Sequence, residues 1–177
     1  MDFRQNYFEL FGLPETFDID LKALSGRYQE LQRTLHPDRF ANASERERRL
    51  SLQQAAQVNS AFQTLKDPLA RARYLLELRG VAANDESTTI RDPEFLEQQM
   101  ELREELGEIR ISNDPLVALT EFMQQLNRTI KECVEQLGEG FGSGDDAVLA
   151  QMQTIVHQLQ FLYRLREEAE ALEEELI

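Results

Sequence analysis

Apolar residues recur at helical spacing through most of the chain, in seven segments. The first, Tyr7-Phe8-Glu-Leu10-Phe11, is short and stops at Gly12-Leu-Pro14, with glycine just past the end and proline soon after. The second has a stripe at Leu21, Leu24, Tyr28, Leu31 and Leu35, behind Asp20 at the N-cap position. Pro37 disfavours helical geometry at His36, so this helix is predicted to end near Leu35 or His36. The third opens on a capping box, Ser44 with Glu47, and runs through Leu52, Ala55, Val58 or Asn59, Phe62 and Leu65. Two such stripes joined by a short loop predict an antiparallel hairpin with His36-Pro37-Asp38 at its exposed tip. Asp67-Pro68 then starts a fourth helix through Leu69, Ala72, Leu75 and Leu76, which Gly80 ends.

Residues 80–90 are polar and aperiodic, and read as a linker. Beyond them Asp92-Pro93 and Asp114-Pro115 repeat the cap-then-proline start. The middle helix of this half carries Leu116, Leu119, Met123, Leu126, Ile130, Cys133 and Leu137 along one face. Gly138–Gly144 is predicted as a flexible turn. A last helix then runs from about Asp146 through Met152, Ile155, Leu159, Leu162, Leu165, Ala169 and Leu172. Three helices with short connections predict an antiparallel three-helix bundle. The expected fold is all-α, with one domain over 1–79, a linker over 80–90 and a bundle over 91–177.

Charge supports the division. Residues 1–75 hold 11 basic and 10 acidic side chains, whereas residues 76–177 hold 8 and 23. A net charge of −14 argues against binding nucleic acid or an anionic membrane. No apolar run reaches the roughly 18 residues of a bilayer span, and the first residues lack the order of a secretory signal. The single cysteine, Cys133, excludes an internal disulfide framework and a multi-cysteine zinc site. A cytoplasmic location and no cofactor are expected.

Two groups of residues carry candidate chemistry. His36 and Asp38 could suggest catalysis, but no activated nucleophile, phosphate-binding glycine loop or second nearby histidine accompanies them. The helix before them has a basic face, with Lys22, Arg27 and Arg33, and Arg39 follows. On the helix from Pro93, a 100° step places Phe95, Leu102, Leu106 and Ile109 within about 40° of one line, a sufficient core face. Leu96 and Met100 fall off it. Arg103 and Glu104 lie beside them and Glu97 and Glu101 on the far rim, as in a small interaction patch. Periodicity alone leaves open a merely wide core face. Phe161 is also off the centre of its helix's stripe.

The run Tyr7-Phe8-Glu-Leu10-Phe11-Gly12-Leu13-Pro14, the basic helix, His36-Pro37-Asp38 and Asn59-Ser-Ala61-Phe62-Gln-Thr-Leu65-Lys-Asp67-Pro68 together resemble a J-domain. The resemblance implies that His36, Pro37 and Asp38 engage the ATPase domain and interdomain linker of a DnaK-type chaperone. It also implies that Arg27 and Arg33, with Lys22 and Arg39, dock on an acidic chaperone surface. Phe95–Leu106 and Gln160-Phe161-Leu162 are similar to the C-terminal domain of the HscB family, co-chaperones of iron–sulfur cluster assembly. That likeness departs modestly at Glu97 and Met100, and without an N-terminal cysteine-rich metal module it is to the bacterial form. It implies two partners, the chaperone HscA and the scaffold IscU, the latter held by Leu96, Glu97, Met100, Glu101, Arg103, Glu104 and Phe161. The alternative is a general J-protein that delivers another client. A purely structural bundle with an accidental His-Pro-Asp is more distant.

Overall fold

The computed structural model describes residues 5–40, 43–81 and 93–177, and every regular element among them is helical. The chain divides into two compact units, Met1–Leu75 and Leu76–Ile177. Most of the expected linker, 82–90, lies outside the described residues, as does Asp92, the expected cap of the helix from Pro93.

In the first unit, α1 (Tyr7–Phe11) is closed at both ends by its own sequence. Asn6 and Glu9 form a reciprocal capping box, and Gly12 takes the left-handed conformation, φ 63°, that spares it the cost a side chain would incur. The Asp20 carboxylate accepts from the Lys22 and Ala23 amides to start α2 (Leu21–Leu35). The Ser44–Glu47 box starts α3 (Glu45–Lys66), and its hydrogen bonds hold the Glu47 carboxyl below the usual carboxylate range. Asp67 caps α4 (Pro68–Leu78) by accepting from the Ala70 amide.

Contacts between α2 and α3 run in opposite senses along the two helices, so they form an antiparallel hairpin. Tyr28 stacks on Phe62 with centroids 4.0 Å apart, its hydroxyl donates to Asn59, and Gln32 donates to both. Further along, Ser51 meets Leu35. The buried line of α3 is Ser51, Val58, Ala61 and Leu65, while Leu52, expected inside, is exposed. Small residues on this line let α2 and α3 approach closely, and Leu52 is turned about 100° from Ser51.

In the second unit, α5 (Pro93–Ile109), α6 (Pro115–Gly142) and α7 (Leu149–Leu176) form the bundle. Phe95 meets Phe161 and Arg110 meets Glu175, so α5 and α7 run parallel, with α6 antiparallel between them. The buried line of α6 is Leu119, Phe122, Leu126, Ile130, Cys133, Leu137 and Phe141, with Leu116 exposed at the start. The predicted glycine turn is corrected here: α6 continues through it to Gly142. Gly138 is buried, and a Cβ on Gly140 would collide with the Met152 thioether. These glycines let two helices approach, and burial of Phe141 offsets their weak helix propensity of about 1 kcal/mol each. The real turn is Ser143–Asp145, where Asp145 caps a short 3₁₀ turn that leads into α7.

Candidate functional site

The first candidate surface is the tip of the α2–α3 hairpin. His36 ends α2 in an extended conformation, and Pro37 opens a 3₁₀ turn over Pro37–Phe40, closed by the Arg39 amide donating to the His36 carbonyl at 3.0 Å. The Asp38 amide donates to His36 Nδ1 at 3.3 Å. The same ring nitrogen lies 3.5 Å from the Asp38 carboxylate. The side chains remain 59% and 91% exposed for His36 and Asp38, so the turn is built by backbone and presents both outward.

Sequence reasoning missed the residue that anchors this tip. Because the proline ends α2, the Leu35 carbonyl lacks its helical donor, and the buried Ser51 hydroxyl donates to it instead, at 3.2 Å. The available signal was a small polar residue seven positions before Val58, on the core line. Ser51→Ala is expected to strand a buried carbonyl and lower stability by about 1–3 kcal/mol in urea unfolding. An unchanged midpoint would show that the bond contributes nothing.

Lys22, Arg27, Arg33 and Arg39 are all exposed. Lys22 and Arg33 share the face opposite buried Leu24 and Leu35. Arg27 is turned about 120° from them and pairs with Glu30 at 3.2 Å. The four cations thus form a broad field rather than a single line.

The second candidate surface is α5. Met100 is 73% and Leu96 38% exposed, and Glu97, Glu101, Arg103 and Glu104 are exposed as well. Leu96, Met100 and Arg103 lie on the flank towards α7, where the Arg103 guanidinium sits over the Phe161 ring, 5.4 Å from its centroid. Glu97 and Glu104 point outward between the flanks. Glu101 lies on the other flank, in a groove of about 290 Å³ between α5, α6 and α7. Phe161 differs from the rest of the set: it is only 7% exposed, packed edge-on against Phe95 with centroids 6.3 Å apart. Its off-centre position on α7 is the flank that meets α5.

Among the described residues no group of three His, Cys, Asp or Glu side chains is placed to hold a metal ion. Burial and the nearby Glu132 push the Cys133 thiol up to about 11, which keeps it protonated and unreactive. No described helix is long and apolar enough to cross a membrane.

Residues 91–170, which span α5, α6 and most of α7, match the family profile described as the HSCB C-terminal oligomerisation domain. A co-chaperone protein HscB homolog from Pseudoalteromonas atlantica is 46% identical over 97% of this chain and 98% of its own length. The chain belongs to the HscB co-chaperone family. The HscB fold extends over both units. Chaperone HscB from Vibrio cholerae superposes with a TM-score of 0.88 at 42% identity, covering 98% of this chain and all of that one. Human co-chaperone protein HscB gives 0.85 at 29% identity, over 97% of this chain and 83% of the human chain. The α5 surface lies wholly inside the segment matched by the HscB C-terminal profile, and the hairpin tip lies in the unit before it.

Proposed function

We propose that this chain holds the iron–sulfur scaffold IscU on its C-terminal bundle and presents it to the DnaK-type chaperone HscA. Its N-terminal J-domain, residues 1–79, stimulates the chaperone's ATPase, which drives cluster transfer to an acceptor protein. The chain contributes contact surfaces and no chemistry of its own. The observation that carries the reading is the turn at His36-Pro37-Asp38, with the His36 and Asp38 side chains exposed, closed by the Arg39 amide on the His36 carbonyl and anchored by Ser51, at the end of a helix with a basic face. A preformed turn loses little conformational freedom on binding, and Lys22, Arg27, Arg33 and Arg39 supply charge that steers encounter with an acidic partner. The second support is the α5 patch, apolar residues ringed by charge, in a chain of the HscB family. Residues 91–177 carry this scaffold surface, and the cytoplasm is where the three proteins would meet. Joining the two surfaces in one chain keeps scaffold and chaperone at high effective concentration.

The test is reconstitution. Steady-state ATP hydrolysis by HscA is expected to rise with this chain, and to rise further with chain and IscU together than with either alone. A rate that IscU leaves unchanged in the presence of the chain would sink scaffold delivery. A rate that the chain leaves unchanged would sink the chaperone contact.

A further inference from the structure

The groove beside α5 is lined by apolar, acidic and amide side chains. Its floor is apolar, with Phe95, Leu102, Phe161 and Leu162, and one wall carries Glu101 and Glu105, four residues apart on the same helical flank. Amide side chains complete the rim: Gln98 on α5, Gln125 on α6 and Gln158 on α7. Among the described residues no lysine or arginine lines it. Among the described residues neither glutamate is ion-paired, although two like charges at this spacing repel and cost the helix stability. A volume of about 290 Å³ is at the small end for a ligand pocket and suits one long side chain. The Phe161 ring at its floor already supports one guanidinium, that of Arg103 on the opposite flank.

We infer that this groove takes an arginine side chain carried by the scaffold partner. Its methylene stem lies on Leu102 and Leu162, its guanidinium plane lies against the aromatic floor, and its N–H groups donate to Glu101, Glu105 and the rim amides. Arginine fits better than lysine, because a planar fork can serve two carboxylates and an aromatic face together, whereas an ammonium is a more strongly hydrated point charge. The contact extends the scaffold surface around α5, from the exposed Leu96–Met100 flank to the side facing α6, and adds Gln98, Glu105, Gln125 and Gln158 to it. Bringing an unpartnered glutamate pair together with a cation explains a feature that is unfavourable in the free chain.

The inference rests on the proposed scaffold binding, and the test separates the two. IscU is titrated calorimetrically into the full chain and into the double variant Glu101→Gln, Glu105→Gln, at two salt concentrations. Both substitutions are exposed and conserve shape, so the variant is expected to melt as the native chain does. The variant is expected to bind IscU about tenfold more weakly at low salt and with a flatter salt dependence. Glu105→Gln alone, at a position outside the Leu96–Met100 flank, is expected to show part of the loss. Equal affinity and equal salt dependence in native and variant chains would overturn the groove while leaving scaffold binding intact. No binding by the native chain would overturn the scaffold reading, and this occupant with it.

Discussion

A His36→Gln chain is expected to bind IscU as the native chain does and to leave HscA hydrolysing ATP at its unstimulated rate. The first half follows from how the tip is built. The turn is closed by the Arg39 amide on the His36 carbonyl and anchored by Ser51 on the Leu35 carbonyl, and neither bond uses the imidazole. The ring is 59% exposed, so its loss should change folding stability by no more than about 0.5 kcal/mol. The second half follows from what is removed. The ring, with an N–H to donate, stands beside the Asp38 carboxylate, Nδ1 3.5 Å from Oδ2, so the turn holds a donor and an acceptor at a set spacing. Glutamine is polar but carries its amide on a longer, flexible stem, so the donor is no longer fixed by the turn. Steady-state hydrolysis and scaffold titration on the same preparation decide the matter. Retained stimulation would show that the tip is not the contact, and joint loss of stimulation and scaffold binding would show that His36 is structural.

What the sequence disclosed and what it hid divide along physical lines. Helix starts at Asp20, Ser44, Asp67 and Asp114 were legible because capping is a local interaction within three residues. The hairpin and the three-helix bundle were legible because their stripes are long. The glycine segment misled because its conformation is set across the bundle. Gly140 faces Met152 and Phe141 is buried, and neither neighbour is near in sequence. Ser51 was hidden for the same reason, since its partner is the Leu35 carbonyl on another helix. On α5, a 100° plot separated Leu96 and Met100 from the core line. It could not show that α6 lies on the Glu101 side and α7 on the Arg103 side, which turns one list of residues into a flank and a groove.

The same geometry governs the second large effect, on scaffold affinity. Replacing Leu96 and Met100 together with alanine is expected to weaken IscU binding by about 2–4 kcal/mol, roughly 30- to 1,000-fold. Met100 is 73% exposed and its truncation should alter the free fold by no more than about 0.5 kcal/mol, whereas Leu96, 38% exposed, should cost about 1 kcal/mol. Affinity lost without a change in melting locates the energy in the contact. Phe161→Ala is a different experiment. The ring is packed against Phe95 and beneath Arg103, so its removal is expected to cost the bundle about 3–5 kcal/mol of stability. Weakened binding in that variant reports on the bundle unless its unfolding curve is measured beside it. Phe161 is therefore expected to affect the scaffold largely through the packing that holds α5 in place, and Leu96 and Met100 by direct contact. Unchanged affinity in a folded Leu96→Ala, Met100→Ala chain would remove this flank from the interface. A Phe161→Ala chain that melts like the native protein yet binds weakly would instead make the aromatic ring a direct contact.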